Sequence, residues 1–148
     1  MLKDYVRMGG GLLTLGGYYS YGKGRLAGSP LAELLPVVVG DPFDLRRAGS
    51  GHPAPGPATP AFNLPGLDST TVEWFHQVAP GADAQVYVTI GGQPLLLGCG
   101  YGNGRVLSWT GTALGEAFPG AEGHSAIPPE ALRSMIGWLK ARQVPQQY

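Results

Sequence analysis

The hydrophobic pattern at the start of the chain predicts one short helix followed by one buried strand. Leu2, Tyr5 and Val6 fall on one helical face, and the glycines at 9–11 end that helix. The apolar run at 12–15 then predicts a strand, which two further glycines stop. A helix that leads into a buried strand is the second half of a βαβ unit, and no first strand precedes it here. We therefore expect the chain to be the C-terminal part of a larger domain.

The middle of the chain has much weaker periodicity. Ser29-Pro30 is typical of a helix start and predicts a short helix over 31–35, and the valines at 37–39 predict a strand. Residues 40–68 are rich in proline and glycine and predict a long irregular loop. The segment 70–76 is compatible with a helical turn or with an edge strand.

The pattern becomes clear again towards the C-terminus. Apolar runs at 84–90, 94–99 and 105–110 are separated by glycine-rich turns and predict three successive antiparallel strands. Pro128-Pro129-Glu130 then opens a helix with one apolar stripe. The expected fold class is α/β, with a β-hairpin region and a C-terminal helix, in a single domain over 1–148.

The composition excludes several classes of protein but does not indicate an activity. Lys plus Arg and Asp plus Glu are 10 each, and this balance argues against a nucleic-acid partner. No apolar run approaches the roughly 20 residues of a membrane span, and charges occupy the place of a secretory signal, so we expect a cytoplasmic chain without direct membrane insertion. One cysteine and three scattered histidines give no metal-ligand spacing, and we expect neither a metal nor a cofactor.

Two short motifs suggest chemistry but favour a structural interpretation. Gly98-Cys99-Gly100 is superficially like a nucleophile elbow, but a turn and a strand follow it instead of a helix, so Cys99 is expected to be a buried strand residue. Gly22-Lys23-Gly24-Arg25 lacks the spacing of known phosphate loops and is expected to be a solvated loop.

A recognisable set of short motifs is spread over most of the chain. It begins with Tyr5-Val6-Arg7 and the glycine-flanked run 9–17, followed by Tyr18-Tyr19-Ser20-Tyr21-Gly22. It continues at 28–31, 34–37, 52–53, 94–96, 101–106 and 136–139. In these motifs the chain resembles the glutamine amidotransferase-like domains, relatives of class I glutamine amidotransferases and of trehalose-utilisation-type proteins.

The resemblance implies a partial flavodoxin-like sheet whose first strands and helices would precede the segment equivalent to Met1. A partial sheet leaves a strand edge and an apolar helix face uncovered. We therefore expect Leu2, Tyr5 and Val6 to lack a complete partner surface within the chain. A homo-oligomer, or a partner chain over the N-terminal helix, would cover them.

Departures from the family pattern argue against glutamine hydrolysis. Class I amidotransferases carry a cysteine on the turn after the strand that matches 12–15, but here that turn is Gly16-Gly17-Tyr18-Tyr19. Their catalytic His-Pro-Glu follows a late strand, whereas this chain continues after Trp109-Thr110 with residues 111–116 that contain no histidine. An active glutaminase is not expected.

Three functional hypotheses follow. The leading one is a catalytically silent binding or interaction module with a small-molecule ligand on Gly16, Gly17, Tyr18, Tyr19, Ser20 and Tyr21, because ligands of α/β sheets bind beyond the carboxyl ends of strands. The alternative is a hydrolase or isomerase that pairs Ser20 or a tyrosine hydroxyl with His52 or His124. The third is a structural domain of a larger membrane-associated assembly, since similar domains accompany von Willebrand-type modules.

Overall fold

The computed structural model describes residues 1–49, 51–112 and 127–141. Within them the chain forms two α-helices and nine strands around one main sheet. The helices are α1 (Leu2–Arg7) and α2 (Pro129–Lys140); the strands are β1 (Gly11–Gly16), β2 (Val37–Val38), β3 (Leu45–Arg47), β4 (Ala54–Pro55), β5 (Trp74–His76), β6 (Ala79–Pro80), β7 (Gln85–Ile90), β8 (Gln93–Tyr101) and β9 (Gly104–Thr112).

The main sheet is mostly antiparallel and is organised around β9. Strands β7, β8 and β9 pair antiparallel in succession, as their alternating apolar residues and glycine turns predict. Strand β1 pairs with β9 in parallel, from Gly11 opposite Arg105 to Leu15 opposite Trp109. The α/β class, the hairpin region and the C-terminal helix are confirmed, and β1–β9 is the parallel pair among the described strands.

The predicted loop over 40–68 contains regular structure that the sequence analysis missed. Strand β3 lies within it and pairs with β5, and β4 pairs with the outer edge of β7. Residues 70–76, which the pattern left open, contain strand β5. The short helix predicted over 31–35 is a 3₁₀ turn at Ala32–Leu34. These strands are two or three residues long, too short for hydrophobic alternation to show.

The main hydrophobic core lies between the sheet and α2. Leu96, Leu107, Trp109 and Met135 are fully buried in it. Helix α2 comes so close to β1 that a Cβ atom on Gly11 would stand 2.7 Å from the Cβ atom of Leu139, which explains the glycine. No helix among the described residues is long and apolar enough to cross a membrane.

Helix α1 covers its apolar face only in part. Val6 is fully buried, so the expectation that it lacks a partner within the chain is wrong. Leu2 and Tyr5 remain 43% and 53% exposed, and Met8 just after the helix is 75% exposed. Val6 is covered because its turn packs on the β8–β9 hairpin. The approach is so close that a Cβ atom on Gly104 would lie 2.0 Å from the carbonyl oxygen of Val6.

Candidate functional site

The loop after β1, residues 17–24, is the position at which the sequence predicts a site. It follows the carboxyl end of the strand that runs parallel to β9, the place where open α/β sheets bind ligands. Residues 17–31 form successive turns without a helix. The loop therefore lacks the helix N-terminus that would stabilise a thiolate or an oxyanion at a nucleophile elbow.

A buried aspartate holds one side of this loop. Asp44 is 2% exposed and accepts hydrogen bonds from the backbone N–H groups of Gly22 at 2.8 Å and Lys23 at 3.1 Å. A Cβ atom on Gly22 would stand 1.8 Å from the carbonyl oxygen of Asp41, so only glycine allows the loop to approach the carboxylate this closely. The loop is thus fixed through its backbone.

His76 joins the same carboxylate to the other end of the loop. Its ring is fully buried, with Nδ1 2.8 Å from Oδ1 of Asp44 and Nε2 2.8 Å from the carbonyl oxygen of Gly17. A carbonyl oxygen can only accept, so Nε2 donates to Gly17, while Nδ1 is held against the Asp44 carboxyl group. Because both nitrogens are engaged, His76 acts as a clamp in this structure and holds the turn at Gly17.

Tyr21 supports the loop from below. Its side chain is 1% exposed, and its hydroxyl donates to the carbonyl oxygen of Trp109 at 3.0 Å and lies 3.3 Å from Oγ1 of Thr14. Thr14 continues the network to Oγ of Ser108 at 2.7 Å. Burial raises the pKa of Tyr21 to about 12. Gly16, another predicted ligand residue, is also buried, so it and Tyr21 support the loop from inside the protein.

The outer face of the loop is aromatic and basic. The Lys23 ammonium lies 3.6 Å from the centre of the Tyr18 ring and 5.3 Å from that of Tyr19. The two tyrosine rings meet edge to face at 5.0 Å, and Tyr19 is 76% exposed. Oγ of Ser20 accepts the backbone N–H of Gly17 at 2.8 Å and so closes the turn. The predicted residues that can reach a ligand are Tyr18, Tyr19 and Ser20.

The structure does not assemble the predicted catalytic pair of a hydroxyl and a loop histidine. His52 is exposed, and its Nδ1 lies 3.3 Å from the carbonyl oxygen of Thr70. Within 1–49, 51–112 and 127–141, no hydrogen bond joins His52 to Ser20 or to a tyrosine of the loop. His124 lies outside these residues, so its assignment stays a prediction.

Cys99 lies within strand β8, as its sequence context indicates. The thiol is half-buried and donates weakly to the carbonyl oxygen of Leu34 at 3.8 Å. Burial, with a smaller contribution from the negative charge of Asp83, raises the pKa of this thiol, whereas a nucleophilic cysteine needs a lowered one. Cys99 is therefore a packing residue in this fold.

Sequence reasoning missed Asp44 and His76, the two residues that define the loop. They are separated by 32 positions and lie in segments without clear periodicity. The signal that was available is the position of His76 directly after Trp74 and Phe75, since a histidine in a buried strand needs a polar partner. Nothing in the sequence identifies Asp44 as that partner.

Comparison with known proteins shows a family match over most of the chain. Residues 1–119 match the family GATase1_like, described as putative glutamine amidotransferase. No curated protein matches the chain significantly.

Two solved structures share the fold, and both are larger proteins. Cytoplasmic Protein STM1381 from Salmonella typhimurium LT2 is 24% identical, with a TM-score of 0.72 over 94% of this chain and 56% of its own. Cytoplasmic Protein STM3548 from Salmonella typhimurium is 25% identical, with a TM-score of 0.75 over 96% of this chain and 59% of its own. The chain thus spans under three fifths of each neighbour's length. By its family match, the chain belongs to the GATase1_like family of glutamine amidotransferase-like proteins.

Proposed function

We propose that this chain is a catalytically silent glutamine amidotransferase-like module that binds a small molecule on the outer face of the loop 17–24. The observation that carries the proposal is the clamp formed by Asp44 and His76, which fixes the loop through Gly17, Gly22 and Lys23. Both neighbours of known structure are cytoplasmic proteins, which supports a cytoplasmic location for this chain as well.

The chemistry of the turn supports a silent site. At the place where class I amidotransferases carry their nucleophile, this chain has Gly17 and Tyr18. The nearest described histidine, His76, is engaged through Nε2 by the Gly17 carbonyl oxygen and through Nδ1 by Asp44, so neither nitrogen is available as a general base. A histidine and a carboxylate remain beside the turn, but they position the backbone and do not activate a nucleophile.

The clamp favours binding for an energetic reason. When a loop becomes ordered only on ligand binding, the entropy that it loses weakens the affinity. A loop that is already held in one conformation avoids this cost. Five polar contacts fix this loop before any ligand arrives: two from Asp44, one from His76, one within the turn at Ser20, and one from Tyr21 below. Tyr18 and Tyr19 then present rings and hydroxyls outwards at low entropic cost.

The test is a thermal-shift screen of the purified chain against a panel of small metabolites, neutral and charged. We expect at least one compound to raise the melting temperature of the wild type, and Tyr18→Ala and Tyr19→Ala to reduce that shift. Tyr5→Ala, which removes an exposed tyrosine from α1, is the matched control and should leave the shift unchanged.

Two results would overturn the proposal. One is a panel in which no compound, charged or neutral, stabilises the wild type. The other is binding that survives Tyr18→Ala and Tyr19→Ala as fully as it survives Tyr5→Ala.

A further inference from the structure

A pocket of about 480 Å³ lies beside the loop 17–24, between that loop and strands β3 and β5. We call it the basic pocket. Its volume is within the roughly 300–1,000 Å³ range of small-molecule sites. The described residues that line it and carry the following argument are Tyr18, Lys23, Arg25, Phe43, Arg46 and Trp74.

Three cations line the basic pocket without a carboxylate partner. Among the described residues, the side chains of Lys23, Arg25 and Arg46 take part in no salt bridge, and no carboxylate contributes to the pocket wall. The nearby acids have other partners: Asp44 contacts His76, Glu73 pairs with Arg47 at 3.3 Å, and Asp41 accepts the backbone N–H of Phe43 at 2.8 Å. Three unpaired cations around one cavity, in a chain whose net charge is zero, create a local positive potential.

Side chains, and not the glycine-rich backbone, would hold an anion here. The N–H groups of Gly22 and Lys23 donate to Asp44, and those of Gly24 and Arg25 donate to backbone carbonyl oxygens. The segment 22–25, whose four N–H groups are all used, cannot cradle a phosphate as a P-loop does. Arg46 donates through Nη1 to the carbonyl oxygens of Phe43 and Leu45, which directs the guanidinium and leaves its other N–H groups for a ligand.

Aromatic residues form the remaining wall. The Tyr18 and Trp74 rings meet edge to face with centroids 6.2 Å apart, and the Phe43 ring is 80% exposed at the rim. A large exposed aromatic ring beside a cationic cavity offers a stacking surface for a planar group. Positive charge and aromatic faces together select a ligand that has both an anionic group and a planar ring.

From this juxtaposition we infer that the basic pocket binds a small organic anion, in which a phosphate or a carboxylate is attached to a planar ring. The inference rests on the proposed function, because it names the ligand class of the same loop. Lys23, Arg25 and Arg46 bind the anionic group, and Tyr18, Phe43 and Trp74 contact the ring.

Isothermal titration calorimetry with matched probes tests this assignment. Adenosine 5′-monophosphate and phenylacetate are the phosphate and carboxylate probes, and adenosine and phenylacetamide are their neutral analogues. We expect at least one anion to bind at least about tenfold more tightly than its analogue, because hydrogen bonds to charged groups are the stronger ones. Its affinity should fall as salt is raised, since exposed charges are screened.

Variants locate the binding within the pocket. Lys23→Met and Arg46→Gln should each weaken the anion by about tenfold and leave any binding of the neutral analogue unchanged. Arg133→Gln is the control, because it removes the same charge from an exposed position on α2, which contributes no residue to the described pocket wall. Which anion binds identifies phosphate or carboxylate as the natural group.

The outcomes separate this inference from the proposed function. Neutral analogues that bind as tightly as the anions, or Lys23→Met and Arg46→Gln variants that behave like Arg133→Gln, would overturn the inference while a ligand on the loop remains. If neither anion binds, the inference is also wrong, and the neutral part of the metabolite screen then decides the proposed function.

Discussion

The two halves of this small domain are held together by different forces. Beneath the sheet, hydrocarbon packs against hydrocarbon, with Leu96, Leu107 and Met135 fully removed from water. Beneath the loop 17–24, a buried polar network centred on Asp44 and His76 accompanies a smaller apolar cluster that includes Tyr21 and Leu35. Apolar burial is favourable in almost any close-packed arrangement, whereas a buried polar network is favourable only in the one geometry that satisfies every member.

The two halves therefore contribute differently to the stability of the chain and to the shape of the loop. The apolar core supplies most of the free energy of folding, since burial is its dominant favourable contribution. The polar network contributes less net stability, because desolvation of its buried polar groups offsets much of their mutual attraction. What the network fixes is the shape of the loop.

The largest effect is expected from Asp44→Ala. The change leaves the fully buried His76 ring and the backbone N–H groups of Gly22 and Lys23 without their carboxyl partner, so the free energy of unfolding should fall by about 3–5 kcal/mol. Asp41→Ala is the matched control, because Asp41 is an exposed residue of the same segment. Among the described residues, its carboxylate accepts only the N–H of Phe43, at 2.8 Å in a local turn. Urea denaturation compares the two, and equal losses would show that Asp44 is not a clamp.

A slightly smaller loss is expected from Leu96→Ala. Removing this fully buried side chain should cost about 2–5 kcal/mol through lost burial and a residual cavity. Ligand affinity measured at a temperature where the variant stays folded should be unchanged, because Leu96 contacts the core and not the loop. Leu2→Ala, at a 43% exposed position, is the control for the loss of a leucine. Weaker ligand binding by Leu96→Ala would contradict the view that the apolar core and the loop act independently.

The contrast between the halves also explains what the sequence could predict. Strands β7 to β9 and helix α2 were predicted because their apolar residues repeat with a regular period between glycine and proline boundaries. The clamp was not predicted, because a hydrogen bond between two residues far apart in sequence leaves no periodic trace. The loop itself could be located, since it follows β1, but which of its residues face outwards depends on Tyr21 turning inwards with a φ of 47°.

A third prediction concerns the pH dependence of Tyr21. Its pKa is about 12 in the folded chain against an ordinary 10.0, so the folded state keeps the phenol proton over that interval. The stability that Tyr21 contributes is fully present below pH 10 and is lost as the pH rises towards about 12.

Tyr21→Phe should therefore cost about 1 kcal/mol near neutral pH, through the lost hydrogen bond to Trp109. The variant should also show a smaller decrease in the free energy of unfolding above pH 10, because it has no phenol to ionise at this position. Urea denaturation at several pH values from 8 to 11 measures both effects. If the wild type and the variant lose stability in parallel above pH 10, Tyr21 is not the buried phenol described above.

The smallest expected effect is on association. Tyr5 and Met8 leave an apolar patch exposed beside β1, and within the described residues β1 pairs only with β9. An open strand edge next to an apolar patch favours a second chain, so we propose that the chain self-associates through this face or binds a partner there. Multi-angle light scattering should give a mass above 15.4 kDa that Tyr5→Lys lowers. A wild-type monomer with a cooperative melt would contradict this proposal.

The most direct test of the central claim is an assay of ammonia release from glutamine. The wild type and Cys99→Ala are compared, because Cys99 is the chain's single thiol. Since the turn at Gly17 carries no nucleophile, and both nitrogens of His76 are engaged by Asp44 and by the Gly17 carbonyl, neither protein should release ammonia above the buffer control. Glutamine-dependent ammonia release by the wild type would contradict the account. If Cys99→Ala abolished that release, the chain would be a glutaminase that uses Cys99.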